Sequence, residues 1–319
     1  MPVIQDQYGR RFRTLRVSLL NHCNLGCVYC VAEDTVKTVN AGGKEALLSV
    51  PALLEIIGRL HGQLGLGTIR LTGGEPLLYP GLAALVRGIR DLGIPAIKLT
   101  TNGFLLERQA IPLKEAGLVS VNVSLDAVDE DVFYRMSRRH AAERVIRGID
   151  AALDAGLDVK INAVIMRGVN DGQILPLLDL ASSRHCCIRY LEVMAMGHLH
   201  DQAEKYLFSQ KDILSVIATR HKFRPLGRSG SATASYWQTD EGLRFGVIAN
   251  ETEPFCRDCD RLRLDSSGNI YGCLSSNHPI LLDNKEDETK WTEKLQQALL
   301  QKQALRFTGS DLSMLHIGG

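Results

Sequence analysis

Short strand-like segments alternate with longer helical runs along the first two hundred residues, and this alternation is the strongest constraint on the fold. Helical patterns, with apolar residues three and four apart, fill 51–65, 81–93 and 139–156. Such repeated strand–helix units predict an α/β chain with a parallel sheet. The six strand-like segments are TLRVSLL (14–20), GTIRLTG (67–73), AIKLTTNG (96–103), VSVNVSLD (119–126), DVKINAVIM (158–166) and CIRYLEVM (187–194).

The predicted strands carry polar side chains on one face only. Arg16 and Ser18 share a face of the first strand, and Arg70 and Thr72 share a face of the second. Lys160 and Asn162 share a face of the fifth, while the residues between each pair are apolar. A parallel strand covered by helices on both faces would instead be continuously apolar. The pattern therefore favours a barrel whose lumen holds a polar ligand over a doubly wound sheet.

The pattern changes after about residue 195, where a second region is expected. We predict a partial barrel in residues 1–223 and a mixed α/β extension in residues 224–319. Within this part the sequence predicts a helix at 205–222, a turn-rich linker at 224–232, strands at Leu243–Ile248, Arg261–Leu264 and Ile270–Cys273, and an amphipathic helix near 290–304.

Composition narrows the function classes. The 319 residues carry a formal net charge of +1. This charge is too small to indicate that the protein binds nucleic acid or a membrane surface through an overall positive charge. No apolar run approaches the roughly 20 residues that cross a bilayer, and the N-terminus has no secretory pattern. We therefore expect a cytoplasmic protein whose thiols stay reduced. Eight cysteines in that setting indicate metal binding or catalysis.

Six of the eight cysteines fall into two groups of three. An ordinary 4Fe–4S cubane takes four thiolates, so three leave one iron without a protein ligand. That iron can bind a substrate or cofactor, as the open position of a catalytic zinc does. A closed Cys3His zinc site that includes His278 stays open for the second group. The first group is Cys23, Cys27 and Cys30 in HCNLGCVYC, and the second is Cys256, Cys259 and Cys273 in FCRDCDRLRLDSSGNIYGCL.

The first group resembles the signature of radical S-adenosylmethionine enzymes. Its spacing is C-x3-C-x2-C with Tyr29 before the last cysteine, and it follows the first predicted strand. TGGEP (72–76) after the second strand is similar to the second motif of that family, in which Gly73 and Gly74 let the backbone approach a ligand.

The second half narrows the resemblance. The FC-x2-C-x-R-L-R-x9-C run of Phe255–Cys273 and the final Gly318–Gly319 resemble the GTP 3′,8-cyclase family, known as molybdenum cofactor biosynthesis protein A. The resemblance covers essentially the whole chain. Four features depart from it. Gly26 stands where many relatives have a basic residue, and Thr68 where they often have a lysine near the phosphates. Val31-Ala32 replaces the frequent Met-Pro, and the stretch LSSNHPILLDN after Cys273 is less basic than usual.

The resemblance implies a radical lyase with two 4Fe–4S clusters and S-adenosylmethionine as cofactors. The fold would be an incomplete (β/α)6 TIM-type barrel whose mouth is closed by the C-terminal extension. Reductive cleavage of S-adenosylmethionine on the first cluster would give a 5′-deoxyadenosyl radical that takes H3′ from GTP. Attack on C8 would lead to 3′,8-cyclo-7,8-dihydro-GTP, the first step of molybdenum cofactor biosynthesis, with the guanine at the open iron of the second cluster.

The site residues are those whose positions match the motifs of the family. The implied S-adenosylmethionine contacts are Tyr29, Gly74, Ser124 and Met194. The implied GTP contacts are Arg16, Arg70, Thr101, Lys160, Arg189, Arg261 and Arg263. Catalytic roles are implied for Arg261, Arg263, Gly318 and Gly319. The arginine fork suits phosphate oxygens, in agreement with the polar strand faces.

The implied partners are GTP, an external electron donor and a downstream enzyme that takes the cyclic product. A monomer and a homodimer are both compatible with the sequence. Two alternatives stay open: a radical enzyme with one auxiliary cluster that acts on a peptide, and a non-catalytic zinc- or iron–sulfur-binding scaffold.

Overall fold

The structure is a computed structural model and describes residues 4–35 and 47–318. The described residues form twelve strands: β1 (Thr14–Ser18), β2 (Thr68–Thr72), β3 (Ala96–Thr101), β4 (Ser120–Ser124), β5 (Asp158–Ile165), β6 (Cys187–Glu192), β7 (Phe223–Gly227), β8 (Ser235–Thr239), β9 (Arg244–Ile248), β10 (Arg261–Leu264), β11 (Asn269–Tyr271) and β12 (Ile280–Leu281). They also form ten α-helices: α1 (Val50–Leu64), α2 (Leu82–Asp91), α3 (Leu106–Ala116), α4 (Glu130–Ser137), α5 (Ala142–Asp154), α6 (Ile174–Ser183), α7 (Ala203–Tyr206), α8 (Gln210–Ala218), α9 (Glu288–Leu300) and α10 (Met314–Ile317).

The twelve strands belong to one sheet in the order β12-β11-β10-β1-β2-β3-β4-β5-β6-β9-β8-β7. Neighbours from β10 through β9 run parallel, and the strands added at both ends are antiparallel. Among the described residues the end strands β12 and β7 do not pair, so the barrel is open. The predicted α/β class and the incomplete six-stranded barrel, β1 to β6, are confirmed.

Helix α1 shows how local sequence sets the elements around this sheet. The Ser49 hydroxyl accepts a hydrogen bond from the Ala52 amide at 3.4 Å, which caps the first turn. Gly65 ends the helix in the left-handed region, at φ 61°, and its amide donates to the His61 carbonyl. The apolar face that packs on the sheet consists of Leu53, Ile56, Ile57 and Leu60, all at most 2% exposed.

The C-terminal extension joins the barrel edge. Strand β10 pairs with β1, and α10 packs against β1 near the mouth of the barrel. Trp291 of α9 is fully buried under the Arg59 guanidinium, 3.8 Å from the ring centroid. Met314 and Leu315 of α10 also line the cavity at the carboxyl ends of the barrel strands, so this part of the extension lies over the barrel mouth, as the resemblance implies.

Two expectations for this region need correction. The first residues of the predicted linker at 224–232 belong to β7, because they pair with β8. The helix expected at 205–222 is shorter and consists of α8 after the single turn of α7. The division of the chain at residue 223 stays a prediction. No helix in the described ranges is long and apolar enough to span a membrane.

Candidate active site

A cavity at the carboxyl ends of the barrel strands brings the first cysteine group together with the residues predicted to hold S-adenosylmethionine. Cys23, Cys27 and Cys30 line it. Its wall also includes Tyr29, Gly74, Ser124 and Met194. Four elements far apart in sequence thus meet at one end of the barrel, where parallel-barrel proteins place their active sites.

The loop that carries the first cysteines is held by the end of helix α4. The amides of Gly26 and Val28 donate to the carbonyls of Ser137 and Met136 at 3.0 and 2.9 Å. Arg138, at φ 58°, donates to the carbonyls of Gly26 and Val31 at 2.6 and 2.8 Å. The Arg138 guanidinium therefore fastens the cysteine loop to the end of α4.

The donor set of this loop fits an iron–sulfur cluster. Burial, together with the nearby Glu75 carboxylate, raises the pKa of Cys23 to about 11. Burial and the neighbouring Cys23 raise the pKa of Cys30 to about 12. Three crowded thiols cannot all ionise unless a cation takes up their charge. A metal cluster supplies that charge, because a coordinating thiol is deprotonated by its metal.

The two glycines of TGGEP are required by the neighbouring chain. A Cβ on Gly74 would lie 2.0 Å from the His22 carbonyl oxygen, and one on Gly73 would lie 2.7 Å from the Leu20 carbonyl oxygen. The Gly74 amide donates to Leu20 at 2.7 Å. The glycines therefore clamp the start of the cysteine loop, which the sequence-based explanation of ligand approach did not include.

Glu75 follows these glycines and was not predicted as a site residue. It is fully buried and accepts hydrogen bonds from the Thr101 hydroxyl at 2.6 Å and from the Asn102 amide at 2.7 Å. A third bond comes from the Leu77 amide at 2.9 Å. Burial raises the pKa of Glu75 to about 7 despite these donors. Glu75 joins β2 to the end of β3 and places Asn102, whose side-chain Nδ2 donates to Cys23 Sγ at 3.5 Å.

Asp126 is a second carboxylate that the sequence did not single out. It accepts hydrogen bonds from the Tyr29 hydroxyl at 2.9 Å and from the Val164 amide at 2.8 Å. Burial raises the pKa of this carboxyl to about 6. The contact fixes Tyr29, between Cys27 and Cys30, against the ends of β4 and β5.

A row of cations crosses the barrel below this cavity. In the parallel register Arg263 of β10 is opposite Arg16, Arg16 is opposite Arg70, and Arg70 is opposite Lys98 of β3. Four like charges on adjacent strands repel one another. Burial and neighbouring arginines lower the pKa of both Arg70 and Arg263 to about 10. Such a row needs a ligand with several negative charges.

Unsatisfied donors point to the same ligand. Arg16 Nε and Arg261 Nη2 are buried, and neither has a hydrogen-bond partner among the described residues. Buried donors of this kind carry a free-energy cost that an anion would remove. Two predicted cations are partnered: Arg189 donates to Asn162 Oδ1 at 3.0 and 2.7 Å, and Lys160 pairs with Asp158. Arg189 thus faces the lumen with Asn162.

Strand β3 supplies further lumen residues, some of which the alternation of side chains along the strand could have predicted. Thr101 lines the cavity, but its hydroxyl donates to Glu75. Its neighbour Thr100 accepts a hydrogen bond from Arg70 at 3.4 Å and lies on the same face of β3 as Lys98. Lys98 and Thr100 were missed, although their alternation in AIKLTTNG is the signal that identified Arg70.

The second cysteine group lies on the other side of the cation row from the first. Cys259 precedes β10, which runs parallel to β1, so it lies near the amino ends of the strands. Burial raises the Cys259 pKa, but Lys302 and Arg261 outweigh it and lower the pKa to about 7. Burial and the nearby Cys273 and Cys259 raise the pKa of Cys256 to about 11.

The zinc alternative finds no support in this geometry. His278 is exposed. Three mutually interacting thiols without a fourth ligand fit a cubane with one open iron, as proposed for the first group.

The C-terminal tail reaches the cation row. Arg263 Nη1 donates to the Ile317 carbonyl at 3.0 Å and also to the Gly318 carbonyl. Gly318 has φ 72°, and a Cβ there would lie 2.4 Å from Thr72 Cγ2. Arg261 donates to the Ser231 carbonyl at 2.6 Å. Gly319 lies outside the described residues.

Comparisons with known proteins agree with this architecture. Residues 17–181 match the model of the Radical SAM superfamily, and residues 186–309 match Molybdenum Cofactor Synthesis C. The open barrel with its cysteine-lined mouth is therefore that of a radical S-adenosylmethionine protein. A GTP 3′,8-cyclase of Synechocystis sp. is 37% identical over 98% of this chain and 94% of its own. One of Streptomyces coelicolor is 41% identical over 85% of this chain and 80% of its own. The chain belongs to the GTP 3′,8-cyclase family.

Solved structures give the fold. Streptococcus suis SuiB bound to S-adenosylmethionine superposes with a TM-score of 0.63 at 15% identity, over 88% of this chain and 65% of that one. Methylornithine synthase gives 0.51 at 17% identity, over 66% of this chain and 62% of that one. Membership of the family implies two 4Fe–4S clusters and S-adenosylmethionine, and the two cysteine groups fit those clusters.

Proposed function

We propose that this protein is a GTP 3′,8-cyclase and catalyses the first step of molybdenum cofactor biosynthesis. One observation carries the proposal: a row of lumen cations lies between two groups of three cysteines in one barrel. The first cluster and S-adenosylmethionine would supply the radical that removes the 3′ hydrogen of GTP before C3′ bonds to C8. The chain itself binds, orients and shields the nucleotide.

The cation row holds the triphosphate in this proposal. Arg16, Arg70 and Arg263 are adjacent across three strands. Arg261 lies two residues before Arg263 on β10 and so on the same face of that strand. Each guanidinium can give two parallel hydrogen bonds to phosphate oxygens. The buried, unsatisfied nitrogens of Arg16 and Arg261 would acquire acceptors when the nucleotide binds.

Lys98 and Thr100 are added to the substrate site. Lys98 is half-buried and forms neither a hydrogen bond nor an ion pair with any described residue. A nearby carboxylate, Asp158, already pairs with Lys160. The ammonium of Lys98 is therefore free to bind a phosphate, and it supplies the lysine charge that position 68 lacks.

The tail and Arg263 form the reacting end of the site in this proposal. Arg263 donates to a carbonyl of α10 and also faces the lumen. Its side chain would therefore contact the tail and the nucleotide at the same time. Ser313 donates to the Cys30 carbonyl at 3.1 Å and ties the same tail to the first cysteine loop. Residues Gly318 and Gly319 would then complete the wall around the ribose.

Further parts of the proposal concern partners and organisation. GTP is the substrate, an external one-electron donor reduces the clusters, and a downstream enzyme takes the cyclic product. We place the protein in the cytoplasm, as a monomer or homodimer, with residues 1–223 as the barrel and 224–319 as the extension.

The test is an anaerobic assay with S-adenosylmethionine, a reductant and each of the four nucleoside triphosphates in turn. Deoxyadenosine that forms only with GTP supports the proposal. Formation only with a peptide would favour a peptide-modifying radical enzyme. Protein that holds two clusters but forms no deoxyadenosine with any nucleotide would contradict it.

A further inference from the structure

Lys302 is a buried cation that points at the second cysteine group. It follows helix α9 and is only 4% exposed. Its ammonium donates to Cys259 Sγ at 3.4 Å and to the Arg261 carbonyl at 2.7 Å. It also lies over the Phe12 ring, 5.0 Å from the centroid. The side chain thus joins one cluster cysteine to the strand that carries two substrate arginines.

The surroundings of Lys302 explain why a charge is tolerated there. Burying an ammonium costs several kcal/mol unless a negative group compensates it. No carboxylate pairs with Lys302 in the part of the chain that the structure describes. The compensating groups are the thiols of Cys259 and Cys273, while Arg261 is a nearby like charge. The cost is therefore offset only when those sulfurs carry negative charge, as they do in a cluster.

Hydrogen bonds and charges at cluster sulfurs set the reduction potential of an iron–sulfur centre. Adding one electron makes the cluster more negative, so a fixed cation at a ligand sulfur stabilises the reduced form. We infer that Lys302 raises the reduction potential of the second cluster and holds Cys259 in place beside Arg261. The inference rests on the proposed function only in that the second cysteine group holds a 4Fe–4S cluster.

A purely structural role is the competing explanation. Lys302 could serve only to fasten the end of α9 to β10 through its bond to the Arg261 carbonyl. Such a role would change thermal stability and cluster content on substitution, but it would leave the potential of the retained cluster unchanged. The potential is therefore the readout that separates the two explanations.

The experiment is a redox titration of the full-length reconstituted protein, followed by electron paramagnetic resonance. A Cys23→Ala, Cys27→Ala, Cys30→Ala background isolates the signal of the second cluster, and the intact holoenzyme is measured beside it. Lys302→Met is expected to shift the midpoint to a more negative potential. Lys302→Arg keeps the charge and should stay close to the parent. Lys290→Met removes an exposed lysine of α9 and should cause no shift.

If the Lys302→Met variant retains too little cluster for the titration, the midpoint potential is measured on Lys302→Gln instead. It keeps a neutral donor and should give a smaller negative shift than Met. Unchanged midpoints for Met and Gln variants with full cluster content would overturn the inference. A wild-type second-cluster spectrum that does not respond to GTP would count against the proposed function, while the midpoints would still decide the role of Lys302.

Discussion

Lys98 lies directly opposite Arg70 in the parallel register of β2 and β3. Two like charges on one face of neighbouring strands destabilise a sheet unless something negative lies between them. The row continues through Arg16 to Arg263, so four adjacent strands contribute one cation each. Such a row of cations favours a polyanionic ligand, and a triphosphate is one.

We predict that Lys98→Met weakens GTP binding about tenfold or more, because a hydrogen bond to a charged group contributes about 1.5–3 kcal/mol. Binding of guanosine should change little, since it lacks phosphates. Isothermal titration of the anaerobic protein measures both. Lys290→Met is the matched control, and equal affinities of Lys98→Met and wild type for GTP would rule out this contact.

The same substitution should act on the free protein in the opposite direction. Removing one of four repelling charges is expected to raise the melting temperature in the absence of nucleotide by a small amount. The stabilisation gained on adding GTP should be smaller than in wild type. A thermal-shift measurement with and without GTP tests the two signs together, and a lower melting temperature without nucleotide would contradict the repulsion.

Gly74→Ala should prevent the first cluster from forming. The new Cβ would meet the His22 carbonyl oxygen at 2.0 Å, so the cysteine loop must move. Gly62→Ala on the exposed side of α1 meets nothing within 4 Å and should stabilise the protein by up to about 1 kcal/mol. Iron and sulfide analysis should find about half the wild-type content in Gly74→Ala, and full content would refute the clamp.

Glu75 should make stability fall with rising pH. Its folded pKa of about 7 lies above the ordinary glutamate value of 4.5. The native state therefore binds more protons between these values, and stability present below about pH 4.5 is lost as the pH rises through about 7. The total change is on the order of 3 kcal/mol. Melting temperatures at pH 5.5 and 8.0 should diverge less in Glu75→Gln than in wild type; identical pH dependence would exclude this titration.

Deletion of Gly318 and Gly319 should leave both clusters intact and abolish turnover. The Gly318 carbonyl accepts from Arg263, and both cysteine groups lie outside the tail. Metal content and the resonance spectra of the clusters provide the control for folding. Wild-type activity in the truncated protein would show that the tail has no part in the reaction.

Much of the barrel could be predicted from the sequence, because its strands and helices follow from local patterns. The alternation of polar and apolar residues along each strand is such a pattern. Arg16 and Arg70 were placed on polar strand faces from their parity alone, and the structure has them opposite each other. Parity could not show that Arg263 joins this row, since β10 enters the sheet beside β1 from almost 250 residues away. Strand neighbours depend on topology, which local pattern does not encode.

The contacts that hold the cysteine groups were beyond sequence reasoning for a related reason. Arg138 reaches the Gly26 carbonyl across 112 residues, and Lys302 reaches Cys259 across 43. Both depend on the exact position of a helix end, which is the least predictable feature of a chain. Glu75 was within reach, because it is part of TGGEP. One of its donors, the Leu77 amide, is local, but the other two, from Thr101 and Asn102, reach it only because β3 folds beside β2.

Hydrogen transfer from C3′ of the GTP ribose is the most direct test of the proposed cyclase reaction. The reduced, reconstituted protein would be incubated with S-adenosylmethionine and GTP carrying deuterium at C3′, and the deoxyadenosine analysed by mass spectrometry. We expect deoxyadenosine that contains one deuterium, together with a cyclised nucleotide that has lost it. Deoxyadenosine without deuterium, formed at the same rate whether or not GTP is present, would contradict it.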